Sequence, residues 1–312
     1  QQSRAKPSET IGTILRWLTG VTAAERTAAF APHLDADLAA GLERGLIANI
    51  SGSQDGWREE WGSALSEFYR SRQMVQEYIE LAQKNGVSSG DCRVAGELLL
   101  AKGNPAEALV WVDRGLAMKP DGTERHGELE SVRRSILAKL GRVDEALDSA
   151  WESFLEQITP GGFKEVLAYA PVGALDNWRA HALAEAQRHA AQGGFELLCA
   201  ERACPQLRAM LEQQDPALRR VRIELLSEAA RVLRASDPWA AAEYHLLAAI
   251  LRLDAARTGM QQPLESLSAA KACYREAGAT AAWEARVEEV RARYGSRVSF
   301  MKRFDKLAQE RY

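Results

Sequence analysis

The sequence predicts an all-α protein built as an array of antiparallel helix pairs. Two observations carry this: apolar residues recur with the helical period along nearly the whole chain, and no apolar-polar alternation is long enough for a strand. Helix start and stop signals at short intervals agree, and together they predict about fifteen helices, most about 12 to 20 residues long.

In order along the chain, Ile11, Ile14, Leu15 and Leu18 mark an amphipathic helix within a helical lead-in over residues 1–53. Thr22 followed by Glu25 is the spacing of a capping box. Trp57, Trp61, Leu65 and Phe68 place the next apolar face, and Asn85-Gly86 predicts a helix end at a left-handed residue. Gly103 then closes one helix and Pro105 opens another at a position where the missing N–H costs nothing. Ala108 is small where that second helix must cross the first, and Pro120 stops it. Asp215-Pro216 and Asp237-Pro238 each place an N-cap before a first-turn proline.

The helix pair at 89–120 has a second copy at 127–158. Gly141 follows Gly103 by 38 positions, and Glu145-Ala146-Leu147 follows Glu107-Ala108-Leu109 by the same interval. The repeat is degenerate, and it departs from the pattern at a close-contact site, where Arg134 stands for Gly96. A weaker third second-helix start is Asp237-Pro238-Trp239-Ala240-Ala241-Ala242. Pro160-Gly161-Gly162 and Pro171-Val172-Gly173 interrupt the middle. The expected division is a lead-in at 1–53, N-terminal repeats at 54–159 and a C-terminal helical array at 160–312.

Cys92, Ala95, Gly96 and Leu99 follow the spacing of the tetratricopeptide pattern, and Ala108 with Val112 and Pro120 fits its second half. The run GDCRVAGELLLAKGNPAEALVWVDRGL and the ending RYGSRVSFMKRF resemble an uncharacterised family of bacterial helical proteins, similar to the C-terminal part of SWIM zinc-finger proteins. The resemblance runs from about Gln54 to the C-terminus. It implies a tetratricopeptide-like α-solenoid and no known activity. The C-x-C…C-x-H finger of the SWIM proteins is absent, so no metal or nucleic-acid role comes with it.

Bulk composition narrows the function classes. With 46% hydrophobic and 27% charged residues the 312-residue chain is ordinary globular material. A net charge of -3 and a pI near 6.1 create no global field toward nucleic acid or anionic lipid. The exception is Arg286 to Tyr312, where eight Lys/Arg stand against four Asp/Glu. No apolar run exceeds the scale of Leu246–Leu251, far short of the roughly 18 residues that span a bilayer. Cys92, Cys199, Cys204 and Cys273 form no C-x-x-C pair and read as buried small hydrophobes in a reducing cytoplasm.

Chemical motifs are sparse. Gly86-Val87-Ser88-Ser89-Gly90 satisfies G-x-S-x-G, yet a helix precedes it where a nucleophile elbow needs a strand, so Ser88 or Ser89 reads as a cap. His181, Glu185 and His189 share a helix face at ligand spacing without a further ligand; His33, His126 and His245 stand alone. Thr159-Pro160-Gly161-Gly162-Phe163-Lys164 is a linker, not a phosphate loop, and no nucleotide or metal cofactor is expected. Trp57, Trp61, Trp111, Trp151, Trp178, Trp239 and Trp283 are assigned mainly to inter-helix seams.

The function expected is a protein-binding adaptor or scaffold using the concave surface of a helical repeat. Arg93 and Glu97 in the first copy, with Glu128, Ser135 and Lys139 in the second, are the candidate partner-binding residues. The alternatives are a nucleic-acid-associated factor using the basic C-terminal helices, and a hydrolase or metal-dependent enzyme.

Overall fold

The computed structural model describes residues 7–19, 22–53, 55–118, 126–255 and 260–309. Among them there is no strand, and eighteen α-helices follow one another. They are α1 (Pro7–Trp17), α2 (Ala23–Phe30), α3 (Ala36–Gly52), α4 (Asp55–Ser71), α5 (Val75–Asn85), α6 (Ser89–Ala101), α7 (Pro105–Ala117), α8 (His126–Lys139) and α9 (Val143–Glu156). Then come α10 (Pro160–Tyr169), α11 (Leu175–Arg188), α12 (Gly194–Ala200), α13 (Cys204–Glu212), α14 (Ile223–Leu233), α15 (Pro238–Ala255), α16 (Gln261–Glu276), α17 (Thr280–Tyr294) and α18 (Val298–Gln309).

One turn explains how a repeating pattern becomes a repeating structure. After α6, Gly103 adopts φ 81°, its N–H bonds to Leu100 O at 3.0 Å and Asn104 N–H bonds to Leu99 O at 2.9 Å. After α8, Gly141 adopts φ 77°, with Gly141 N–H to Ala138 O at 3.1 Å and Arg142 N–H to Leu137 O at 2.9 Å. This is a Schellman cap, in which a left-handed residue turns the chain back and satisfies two orphan carbonyls. Every partner in the second turn lies 38 positions after its counterpart in the first. The same turn forms between α16 and α17 at Gly278, φ 66°. It also forms where sequence gives no glycine signal, at Gln73 with φ 56° and Arg202 with φ 52°.

Residues group by contact into two units, Gln1–Ser149 and Ala150–Tyr312, so the division falls within α9, and the segment 159–173 lies inside the second unit. In that segment Pro160 opens α10, and Thr159 caps it by accepting from Gly162 N–H at 3.1 Å.

In the first unit, Leu42 and Leu46 of α3 share one core with Trp61, Leu65 and Phe68 of α4 and with Tyr78 of α5. The lead-in is therefore part of the same packed body as the helices that follow. A second core joins Ile79, Ala95, Leu99, Ala108, Val112, Leu129 and Ile136 from α5 to α8. In the second unit α15 packs against α14 and α16 through small residues, with Ala229, Ala230, Ala240, Ala241, Ala242, Ala248, Ala249 and Ala270 all at 0% exposure. Tyr244 fills the remaining space and donates to Leu207 O at 2.8 Å.

Three expectations need correction. Thr22 makes no capping hydrogen bond: with φ −101° and ψ 16° its backbone leaves the extended region from which an N-cap side chain reaches back to the first turn. Of the assigned tryptophans only Trp61 and Trp283 are buried, while Trp57 and Trp239 are 49% and 38% exposed. Those two occupy first turns of their helices. Cys204 is half-buried, unlike the other three cysteines. The expected stop at Pro120 lies outside the described residues.

Candidate functional site

The five residues singled out on α6 and α8 meet in part. Arg93 on α6 donates to Glu97 one turn on, at 2.5 Å, and its Nε lies 3.6 Å from Glu128 Oε2 on α8. Glu128, Ser135 and Lys139 then follow one another along α8 at i, i+7 and i+11, one stripe of the helix. Ser135 donates back to Ser131 O at 3.1 Å, and Lys139 is exposed at the end of the stripe.

Beneath this polar line the helices cross tightly. Ala95 and Leu99 are buried, and a Cβ added to Gly96 would come 2.4 Å from Val112 Cγ2 on α7. Sequence spacing located that crossing, because a small residue is required wherever two helix backbones approach. It did not reveal that Arg93 already satisfies two carboxylates, since that depends on how α6 lies beside α8. In the second copy, Arg134 at the Gly96 position is 3% exposed, 3.3 Å from Ser149 Oγ and 3.8 Å from Glu130.

The serine of the G-x-S-x-G stretch is a helix cap. Ser88 Oγ accepts from Asp91 N–H at 3.1 Å, and the Asp91 carboxylate accepts from Ser88 N–H at 3.0 Å and from its hydroxyl at 2.7 Å. Asp91 also accepts from the Tyr78 hydroxyl at 3.0 Å; burial, ahead of the aspartate itself, holds that phenol above its ordinary range.

His181 and His189 flank Glu185 at 3.8 and 4.0 Å, and Glu185 also takes Arg188. The His181 ring lies 4.6 Å from Trp151 by centroids, and Trp178 stands 5.4 Å from Trp151. Among the described residues no group of three His, Cys, Asp or Glu side chains is arranged to hold a metal ion.

The basic C-terminal stretch is largely engaged within its own unit. Arg286 binds Glu243 and Glu289, Arg291 binds Asp305 and Glu288, and Arg293 binds Asp254. Arg297 donates to Leu253 O at 2.8 Å. Lys302, Arg303 and Lys306 are exposed, and Arg311 lies outside the described residues. No described helix is long and apolar enough to cross a membrane.

Fold and surface together define an all-helical protein of successively packed helices with a charged line across one helix pair and the next. The chain belongs to DUF6880, a family of unknown function, whose family model matches residues 54–303. A search of curated proteins finds no match to it.

Proposed function

We propose that this chain is a cytoplasmic protein-binding scaffold, a tetratricopeptide-like α-solenoid related to the helical part of SWIM zinc-finger proteins, that receives a protein or peptide along α6 and α8. The observation that carries this reading is the Arg93–Glu128 ion pair, which joins the first helix of one pair to the first helix of the next. Stacked first helices line the binding face of helical-repeat proteins, and charged side chains there read the charges and backbone of an extended partner. Both side chains keep solvent access, at 26% and 46%, and stay available to exchange partners. Four cysteines that form no disulfide suit a reducing compartment. The internal pairing of Arg286, Arg291 and Arg293 gives the nucleic-acid alternative little support. The Ser88 cap gives a hydrolase little support.

The test is affinity for a partner identified by cross-linking in the native host and then purified. Replacing Arg93→Gln and Lys139→Glu together is expected to weaken binding at least about tenfold, roughly 1.4 kcal/mol, in calorimetry. Unchanged affinity in a folded double variant would remove this surface from the proposal.

A further inference from the structure

A cleft of about 310 Å³ opens where α14, α15 and α16 meet in the second unit. His245 and Arg252 reach it from α15, seven residues apart on one helix face; Ser227 comes from α14 and Gln262, Glu265 and Ser266 from α16. No spacing in the sequence unites them.

What sets this cleft apart is unused donor capacity. Arg252 donates one guanidinium N–H to the buried Ser266 hydroxyl at 2.6 Å, and among the described residues no carboxylate pairs with it. Three other arginines of this unit have one: Arg231 has Glu228, Arg234 has Glu276 and Arg286 has Glu243. The Ser227 hydroxyl and the His245 ring are half-buried and, among the described residues, take no hydrogen bond. Side chains from two helices thus present donors to one space, where a single ligand can engage them together. The one carboxylate at the rim, Glu265, is exposed and accepts from Gln261 at 3.0 Å. A larger cleft between α16, α17 and α18 offers nothing comparable, because its cations are occupied: Lys271 donates to Leu307 O at 2.7 Å and Arg291 is paired with Asp305.

We infer that this cleft binds a small ligand through an oxyanion, a carboxylate or a phosphoryl group, held by the Arg252 guanidinium with Ser227, Gln262 and His245 as further donors. The planar guanidinium fork suits two oxygens of such a group, and a hydroxyl and an amide complete its coordination. The volume lies at the small end of ligand sites, enough for a compact metabolite. Burial, and then the positive charges of Arg234 and Arg252, push the His245 pKa down to about 4 and so favour the neutral ring. An anion seated between His245 and Arg252 reverses the local field and draws a proton to the ring. The charged groups that bear on the ring are Arg234 at the end of α14 and Arg252 on α15, and Glu265 on α16 lines the same cleft.

The experiment is a ring-resonance NMR titration of His245 in the full chain, assigned by its loss in His245→Asn, with inorganic phosphate and acetate in parallel at constant ionic strength set by chloride. A saturable shift with at least one anion, a raised His245 pKa in its presence and at least tenfold weaker binding in Arg252→Gln are expected. The anion that binds distinguishes phosphoryl from carboxylate recognition. Should Arg252→Gln fail to fold, Ser227→Ala, which removes a hydroxyl without a partner, is expected to weaken binding at least threefold. No saturable shift with either anion, or identical titrations in parent and folded variant, overturns the site.

Discussion

Gly96 on α6 lies against Val112 on α7 so closely that a Cβ added to the glycine would come 2.4 Å from Val112 Cγ2. Val112 is β-branched and fully buried, so it has little freedom to turn away. Gly96→Ala is therefore expected to destabilise the protein by about 1–3 kcal/mol despite the roughly 1 kcal/mol that alanine gains in helix propensity. Adding Val112→Ala should recover part of that loss, and denaturant unfolding of the single and double variants checks it. Ala108, at 0% exposure in the same crossing, should not tolerate aspartate, because a buried unpaired carboxylate costs several kcal/mol. An Ala108→Asp chain that melts like the parent would show that the crossing is not tight.

The recurring Schellman turn predicts effects of opposite sign. Gln73 holds φ 56°, where a side chain carries a strain of about 1 kcal/mol that glycine avoids, so Gln73→Gly is expected to raise the melting temperature. Gly103 holds φ 81°, and Gly103→Ala is expected to lower it by a similar free energy. Calorimetric scans of both variants decide the matter.

Arg93 balances Glu97 and Glu128, which makes it more than a solvent-facing contact. Arg93→Glu would bring three carboxylates together and should lower stability more than Arg93→Gln, the two differing by about 0.5–1 kcal/mol at low ionic strength. The gap should narrow in 1 M salt.

Ser88→Ala removes the side-chain half of a capping box and is expected to cost about 1 kcal/mol of stability. Retained partner binding in this variant is expected, because the hydroxyl serves the helix end and not a reacting group.

His245 gives the chain a pH dependence of known sign. Its folded pKa, pushed down to about 4 by burial and then by Arg234 and Arg252, lies below the ordinary 6.5, so the unfolded chain binds the proton more readily. Stability on this account is fully present above about pH 6.5 and is lost as pH falls toward 4. The loss is on the order of 2 kcal/mol, and His245→Asn should show a shallower decline over that window in pH-resolved denaturation.

Sequence by itself determined that the protein is helical, where several helices begin or end, and that one helix pair returns after 38 positions. Those features are local: the period of an amphipathic face, the proline at a first turn and the glycine at a left-handed cap each act within a few residues. The helix count came out lower, about fifteen against eighteen among the described residues, since a helix as short as Gly194–Ala200 spans too few turns to display a period. Left-handed Gln73 and Arg202 were invisible for a related reason: their conformation is imposed by the packing of the helices they join, against their own preference. Arg93, Glu97 and Glu128 were legible as polar positions off the buried face, but their mutual ion pairs depend on how α6 lies beside α8. Tertiary structure alone decided the cleft of His245, Arg252 and Ser227, because three successive helices must pack in a particular orientation before their donors can face one space.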